Sequence, residues 1–105
     1  MVRFVETEEE WAELMEKSKT NLVVVDFTAS WCGPCKAIGP HFEKMAEETP
    51  GAIFVKVDVD EAEEIAAECG IQAMPTFQFY KNGEKIDELR GGKLEVLKAK
   101  VAKHA

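Results

Sequence analysis

Leu22-Val23-Val24-Val25-Asp26-Phe27, followed three residues later by Trp31-Cys32-Gly33-Pro34-Cys35, decides how this chain folds. The first run lacks alternation and is rich in valine, which suits a central strand covered on both faces. Beyond it, Cys35, Ile38, Phe42 and Met45 recur at helical spacing, so the cysteines stand at the start of a helix reaching about Glu48. Gly39-Pro40 interrupts that helix and predicts a kink, because proline removes the hydrogen bond to residue 36 while the apolar pattern resumes beyond it. Two cysteines three positions apart are neighbours on one face of a helix turn, with Cβ atoms roughly 5–6 Å apart. A disulfide needs Cα atoms at about 4.4–6.8 Å, so this pair closes a bridge with little backbone movement. It opens one equally well, since a helix N-terminus stabilises the thiolate that exchange requires.

A purely structural disulfide and half of a zinc site are the other uses of such a pair. A structural staple gains from closing a long loop, and this one would span two residues. Tetrahedral zinc takes its ligands from two such pairs, and here only Cys69, His41 and His104 remain, at spacings that fit no zinc pattern. Redox chemistry is the favoured reading, and no metal is expected.

A chain of 105 residues, 46% hydrophobic and 31% charged, is bounded to one globular domain, 1–105, with a single core. The formal net charge of −7 and the lack of a basic stripe argue against nucleic acid and anionic membrane surfaces as partners. No stretch approaches the roughly 20 apolar residues of a transmembrane helix. Met1-Val2-Arg3-Phe4-Val5-Glu6 turns acidic at once, unlike a secretory signal, and the cysteine count is odd. A reducing, cytoplasmic setting is therefore expected.

Outside the cysteine motif, Val2 to Val5 is a short strand, and Thr7-Glu8-Glu9-Glu10 is a capping box. The helix it opens places Trp11, Leu14 and Met15 on one face, leaving Glu8, Glu9, Glu13 and Glu16 as its solvated side. Ala52 to Val59 alternates as a strand. Asp60 is expected to cap a helix from about Ala62 to Cys69, stopped by Gly70. Thr76 to Tyr80 and Lys85 to Leu89 form a hairpin through Asn82-Gly83. Gly91-Gly92 forces a turn before a last helix, Lys93 to Lys103, with Leu94, Leu97 and Val101 inward. The order βαβαβαββα defines an α/β fold, a mixed sheet with helices on both faces and its last two strands antiparallel.

Ala29-Ser30-Trp31-Cys32-Gly33-Pro34-Cys35-Lys36, preceded by Asp26 and followed by Met74-Pro75-Thr76 and Gly91-Gly92, resembles the thioredoxin family from end to end. Cys69 and the Met1-to-Glu10 segment are closer to its animal cytosolic members. The resemblance implies the thioredoxin fold and a general protein-disulfide reductase. Cys32, ahead of the helix, is then the nucleophile, and Cys35, buried one turn in, resolves the mixed disulfide without a cofactor. Glutaredoxins and disulfide isomerases are similar in fold but carry other residues between the cysteines, so Gly33-Pro34 points to a reductant. Asp26 interrupts the most apolar strand and, if buried without a cation, holds its proton tightly. It is implied to accept the Cys35 proton, directly or through water. The alternative is a satisfied buried acid paired with Lys56 of the next strand.

Trp31 reads either as core or as a flat docking surface beside the nucleophile. The resemblance makes the Met74–Pro75 bond cis and sets Pro75 against the sulfurs, with the Met74 backbone free to pair with a substrate strand. Gly91 and Gly92 complete that substrate-binding rim. Cys69, near the end of a short helix, reads as a small buried hydrophobe, with a regulatory thiol as the alternative. Ala73 leaves no thiol in the Gly70-to-Met74 loop, so a monomer is expected. His41 and His104 are surface positions with no visible partner. Because no G-x-G-x-x-G is present for a nicotinamide or flavin, the electrons must come from a partner, which the resemblance identifies as thioredoxin reductase. Its other partners are disulfide-containing substrate proteins. A binding module whose reduced face grips a regulatory protein is the competing function.

Overall fold

Val23–Thr28, the valine-rich run, forms the central strand β2 of the computed structural model, which describes residues 2–105. It is flanked by β3 (Ile53–Asp58) in parallel and by β4 (Thr76–Lys81) antiparallel. The short β1 (Arg3–Phe4) adds outside β3, and β5 (Glu84–Arg90) outside β4, giving the order β1-β3-β2-β4-β5. Four helices complete the described residues: α1 (Glu8–Lys17), α2 (Gly33–Glu48), α3 (Glu63–Glu68) and α4 (Leu94–His104). The βαβαβαββα order and the antiparallel closing pair are those expected. Among the described residues, no helix is long and apolar enough to cross a membrane.

Alternation along β2 builds two cores. Val24 meets Ile38, Phe42 and Met45 of α2 and Leu97 and Val101 of α4. Val23, Val25 and Phe27 meet Leu14 of α1 and Ile65 of α3 on the opposite face. Asp26 shares its face with Val24, two residues away, and therefore points toward α2. Full burial of Phe42 makes it a main anchor of that helix, and truncation to alanine is expected to cost about 3–5 kcal/mol.

Local signals were realised closely. Thr7 and Glu10 form the reciprocal capping box of α1. Asn82 and Gly83 both take positive φ, 54° and 74°, as a type I′ turn demands. The end of α3 is a Schellman motif, with Gly70 N–H donating to Ala67 and Ile71 N–H to Ala66 around the positive φ of Gly70. Pro40 lies inside α2, whose helical run continues through it.

Two expectations are corrected. Asp60 does not cap α3, whose N-cap is Ala62 with no side-chain hydrogen bond. Asp58 instead accepts the N–H groups of Asp60 and Glu61, at 2.9 and 3.3 Å, and shapes that turn. The Asp60 side chain is thereby left free to turn toward the cysteine motif. His104 is not unpartnered: its Nε2 lies 2.8 Å from Asp87 Oδ2, while Lys100 Nζ donates to Asp87 Oδ1 at 2.8 Å. Burial pushes the Asp87 carboxyl up, but the bonds from Lys100 and His104 outweigh it and hold the group well below the usual carboxylate range. This cluster fastens the end of α4 to β5.

Candidate active site

The chain leaves β2 at Thr28 and enters α2 at Gly33, and the turn between them carries Cys32 as the N-cap of the helix. Its backbone is extended, and its sulfur accepts the N–H of Cys35 at 3.2 Å. Pro34 occupies the first turn, where no N–H is missed. Cys32 and Cys35 are joined as a disulfide with Cα atoms 5.3 Å apart, within the range required of the spacing. Cys35 is buried as expected, and in this oxidised state Cys32 is nearly as covered. What separates the two sulfurs is their position relative to the helix, with Cys32 facing its free N–H groups.

Around the disulfide, loops from three other places converge. Met74 and Ala29 pack against the cysteines. The Met74–Pro75 bond is cis, and Pro75 O accepts the N–H of Gly91 at 2.8 Å. Gly91 has a φ of +99°, a conformation that favours glycine. Gly92 brings its backbone so close that a Cβ there would stand 3.7 Å from Pro34 O and 3.8 Å from Pro75 Cγ. Trp31, 66% exposed, is not core. Its Nε1 donates to Asp60 Oδ2 at 2.9 Å, which fixes the indole beside the disulfide with its polar atom already satisfied.

Asp26 lies behind this surface, 1% exposed, with Oδ1 lacking any hydrogen-bond partner among the described residues. Burial pushes its carboxyl up to about 7; Lys56 pulls in the opposite direction, and Glu43 adds to the rise. The pairing of Asp26 with Lys56 that the sequence left open is not formed. Lys56, although opposite Asp26 in the β2–β3 register, gives its ammonium to Glu43 at 3.1 Å. Both line a groove of about 430 Å³ that also reaches Cys35 and Gly39. Cys69 is half-buried and not fully buried as expected; burial still pushes its thiol up, and its sulfur accepts a contact from Tyr80 Oη at 3.7 Å, away from the disulfide. Among the described residues, no group of three or more His, Cys, Asp or Glu side chains is disposed to hold a metal ion.

Asp60 and Glu43 are the neighbours that sequence reasoning missed. Asp60 is 29 residues from Trp31, and no local spacing links them. Glu43 reads locally as one more solvated helix glutamate.

A disulfide at a helix N-cap, held behind a strand and under a cis-proline loop, is the centre of a thiol–disulfide oxidoreductase. The thioredoxin family model matches residues 2–103. Thioredoxin of Mus musculus is 43% identical over 105 residues, covering all of both chains, and that of Equus caballus is 45% identical over 96% of each. Among solved structures, Fasciola hepatica thioredoxin superposes with a TM-score of 0.94 at 41% identity, with both chains fully covered. Plasmodium falciparum thioredoxin gives 0.93 at 41% identity, over 99% of this chain and 100% of that one. The chain belongs to the thioredoxin family. It is a protein-disulfide reductase, with disulfide-containing proteins as its substrates and a reductase as the source of its electrons.

Proposed function

We propose that Cys32 is the attacking thiolate, Cys35 the resolving thiol and Asp26 the base that serves it, in a cytoplasmic, monomeric single-domain reductant recharged by thioredoxin reductase. The observation that carries this assignment is the Cys35 N–H aimed at Cys32 sulfur at 3.2 Å, on the free end of α2. Such donors, with the helix dipole, stabilise negative charge on Cys32 and not on Cys35.

In the first step Cys32 thiolate attacks one substrate sulfur, the substrate S–S bond breaks, and the other substrate sulfur leaves as a thiolate that takes up a proton. Cys35 then loses its proton to Asp26 and attacks Cys32 sulfur. The mixed disulfide breaks, the second substrate thiol departs, and the Cys32–Cys35 disulfide remains. Two electrons have passed from the protein dithiol to the substrate disulfide, and the reductase returns two. A carboxyl whose proton affinity is centred at about 7 takes and releases a proton readily at neutral pH. Gly33 and Pro34 hold the dithiol geometry, and Lys56 adjusts the acid by its charge. Trp31, Met74, Pro75, Gly91 and Gly92 form the docking rim, where an extended substrate segment pairs with the Met74 backbone.

Cys35→Ser tests the scheme. With the resolving thiol gone, substrates accumulate as mixed disulfides on Cys32, visible by non-reducing electrophoresis and mass spectrometry. Insulin reduction by this variant at the wild-type rate would refute the two-thiol mechanism.

A further inference from the structure

Asp26 and Lys56 are partners in the parallel register of β2 and β3, so both side chains leave the sheet on the α2 face. A lysine placed beside a buried carboxylate normally pairs with it. Here the ammonium is held elsewhere, by Glu43 Oε2 at 3.1 Å, with the Phe4 ring centroid 5.9 Å away. Glu43 is itself anchored, since its Oε1 accepts the N–H of Val2 at 2.9 Å. Gly39, one turn earlier in α2, lies beside the ammonium: a Cβ there would stand 4.0 Å from Nζ, in ordinary contact. We infer that Glu43 is a positioning residue, capturing Lys56 in the groove and so keeping the buried acid without a direct ion-pair partner.

The functional consequence rests on Asp26 being the base for Cys35; the placement does not. Charged groups face Asp26 from two elements, Lys56 from β3 and Glu43 from α2, while β4 sets the apolar Phe77 opposite it. Asp58 and Lys36 line the same groove. Burial is the larger influence on Asp26, Lys56 favours its ionised form and Glu43 opposes it. Neutralising Glu43 removes one repulsion and releases the cation toward Asp26. Both changes act in the same direction, toward easier ionisation. Were Asp26 ionised well below neutral pH, it would be a poorer proton acceptor for a thiol.

Carbon-13 titration of the Asp26 carboxyl in the oxidised protein decides the matter, using wild type, Glu43→Gln, Lys56→Met and the double variant. Glutamine still accepts the Val2 N–H, so the anchoring of β1 is retained. Glu43→Gln is expected to lower the Asp26 midpoint by about one pH unit, and Lys56→Met to raise it. In the Lys56→Met background the Glu43→Gln shift is expected to fall below half, because the released cation is gone. An unmoved midpoint in Glu43→Gln, or an equal shift with and without Lys56, would overturn the inference. The acidic limb of the pH profile of insulin reduction is expected to move down with the carboxyl in Glu43→Gln. Should Asp26→Asn reduce insulin at the wild-type rate from pH 5 to 9, the base assignment fails, and the titrations still decide the role of Glu43.

Discussion

Replacing Asp26 by asparagine is expected to stabilise the oxidised protein, with a gain that depends on pH in a defined way. The carboxyl moves from 3.8 in the open chain to about 7 in the fold because burial penalises its charge. The sign follows from linkage. The folded state binds the proton more tightly, so the advantage is complete below about pH 4 and is lost as pH rises to the folded value. Relative to acid solution the fold then loses about 4 kcal/mol at pH 8, where the buried acid must ionise, and about 2 kcal/mol at pH 5, where only the open chain has released the proton. Asparagine keeps the shape without the charge. Whatever fixed difference the buried amide introduces, the stability gap between variant and wild type is expected to widen by about 2–3 kcal/mol from pH 5 to pH 8. Urea unfolding of both oxidised proteins at the two values measures it, and all other titrating groups cancel in the comparison. The same substitution is expected to slow the resolving step in single-turnover reduction of insulin by on the order of 10²-fold. A gap that is flat in pH, or that narrows toward pH 8, would refute the reading of Asp26 as a buried, unpartnered acid. Loss of stability together with unchanged activity would make the carboxylate structural.

Asp87→Asn is expected to destabilise the protein by about 2 kcal/mol at pH 6, since two charge-assisted bonds from α4 are weakened. The Asp87 carboxyl is depressed in the fold, so this difference is in place above about pH 4 and shrinks as pH falls below it, which urea melts at pH 6 and pH 2.5 would show. Gly92→Trp covers Pro34 and Pro75 without entering the core, and is expected to lower kcat/KM for insulin about tenfold while leaving reduction of a small aromatic disulfide near wild type; equal losses on both substrates would place the effect on the sulfurs instead. Brief iodoacetamide treatment of the reduced protein near neutral pH is expected to label Cys32 before Cys35 or Cys69, as mass mapping would reveal, and predominant labelling of Cys35 would reverse the assignment.

The elements of this fold were legible because their determinants are local. The valine run needs two covered faces, and it receives α2 and α4 on one and α1 and α3 on the other. Thr7 and Glu10, or Asn82 and Gly83, specify their geometry within four residues and formed it. The reactive centre was equally readable, since the N-cap position of Cys32 follows from one strand, one short turn and one helical pattern. Where the local signal was thin, the boundary moved: β1 covers only Arg3–Phe4 of the expected Val2 to Val5.

What stayed hidden was the choice among partners. Asp60 sits where a cap would, and by sequence alone the nearest free N–H groups of α3 are its natural donors. The nearer Asp58 meets the turn, and Asp60 accepts the Trp31 indole across the surface. Lys56 faced a similar choice between a buried carboxylate beside it and a half-exposed one on α2. Pairing with Asp26 would draw a second charge into the core, where desolvation offsets much of the attraction. Pairing with Glu43 keeps the ammonium in a groove open to water and leaves Asp26 alone in its apolar layer. Neither preference is written in the spacing of residues 26, 43 and 56; it emerges once β3 is set parallel to β2 and α2 crosses them both. The isolation of Asp26 is thus a tertiary property, although its burial could be inferred from Val23, Val24, Val25 and Phe27 alone. An acid buried and left unpaired raises its proton affinity to the range in which a thiol can hand it a proton, and the stability lost at neutral pH is the same effect seen from the folding side.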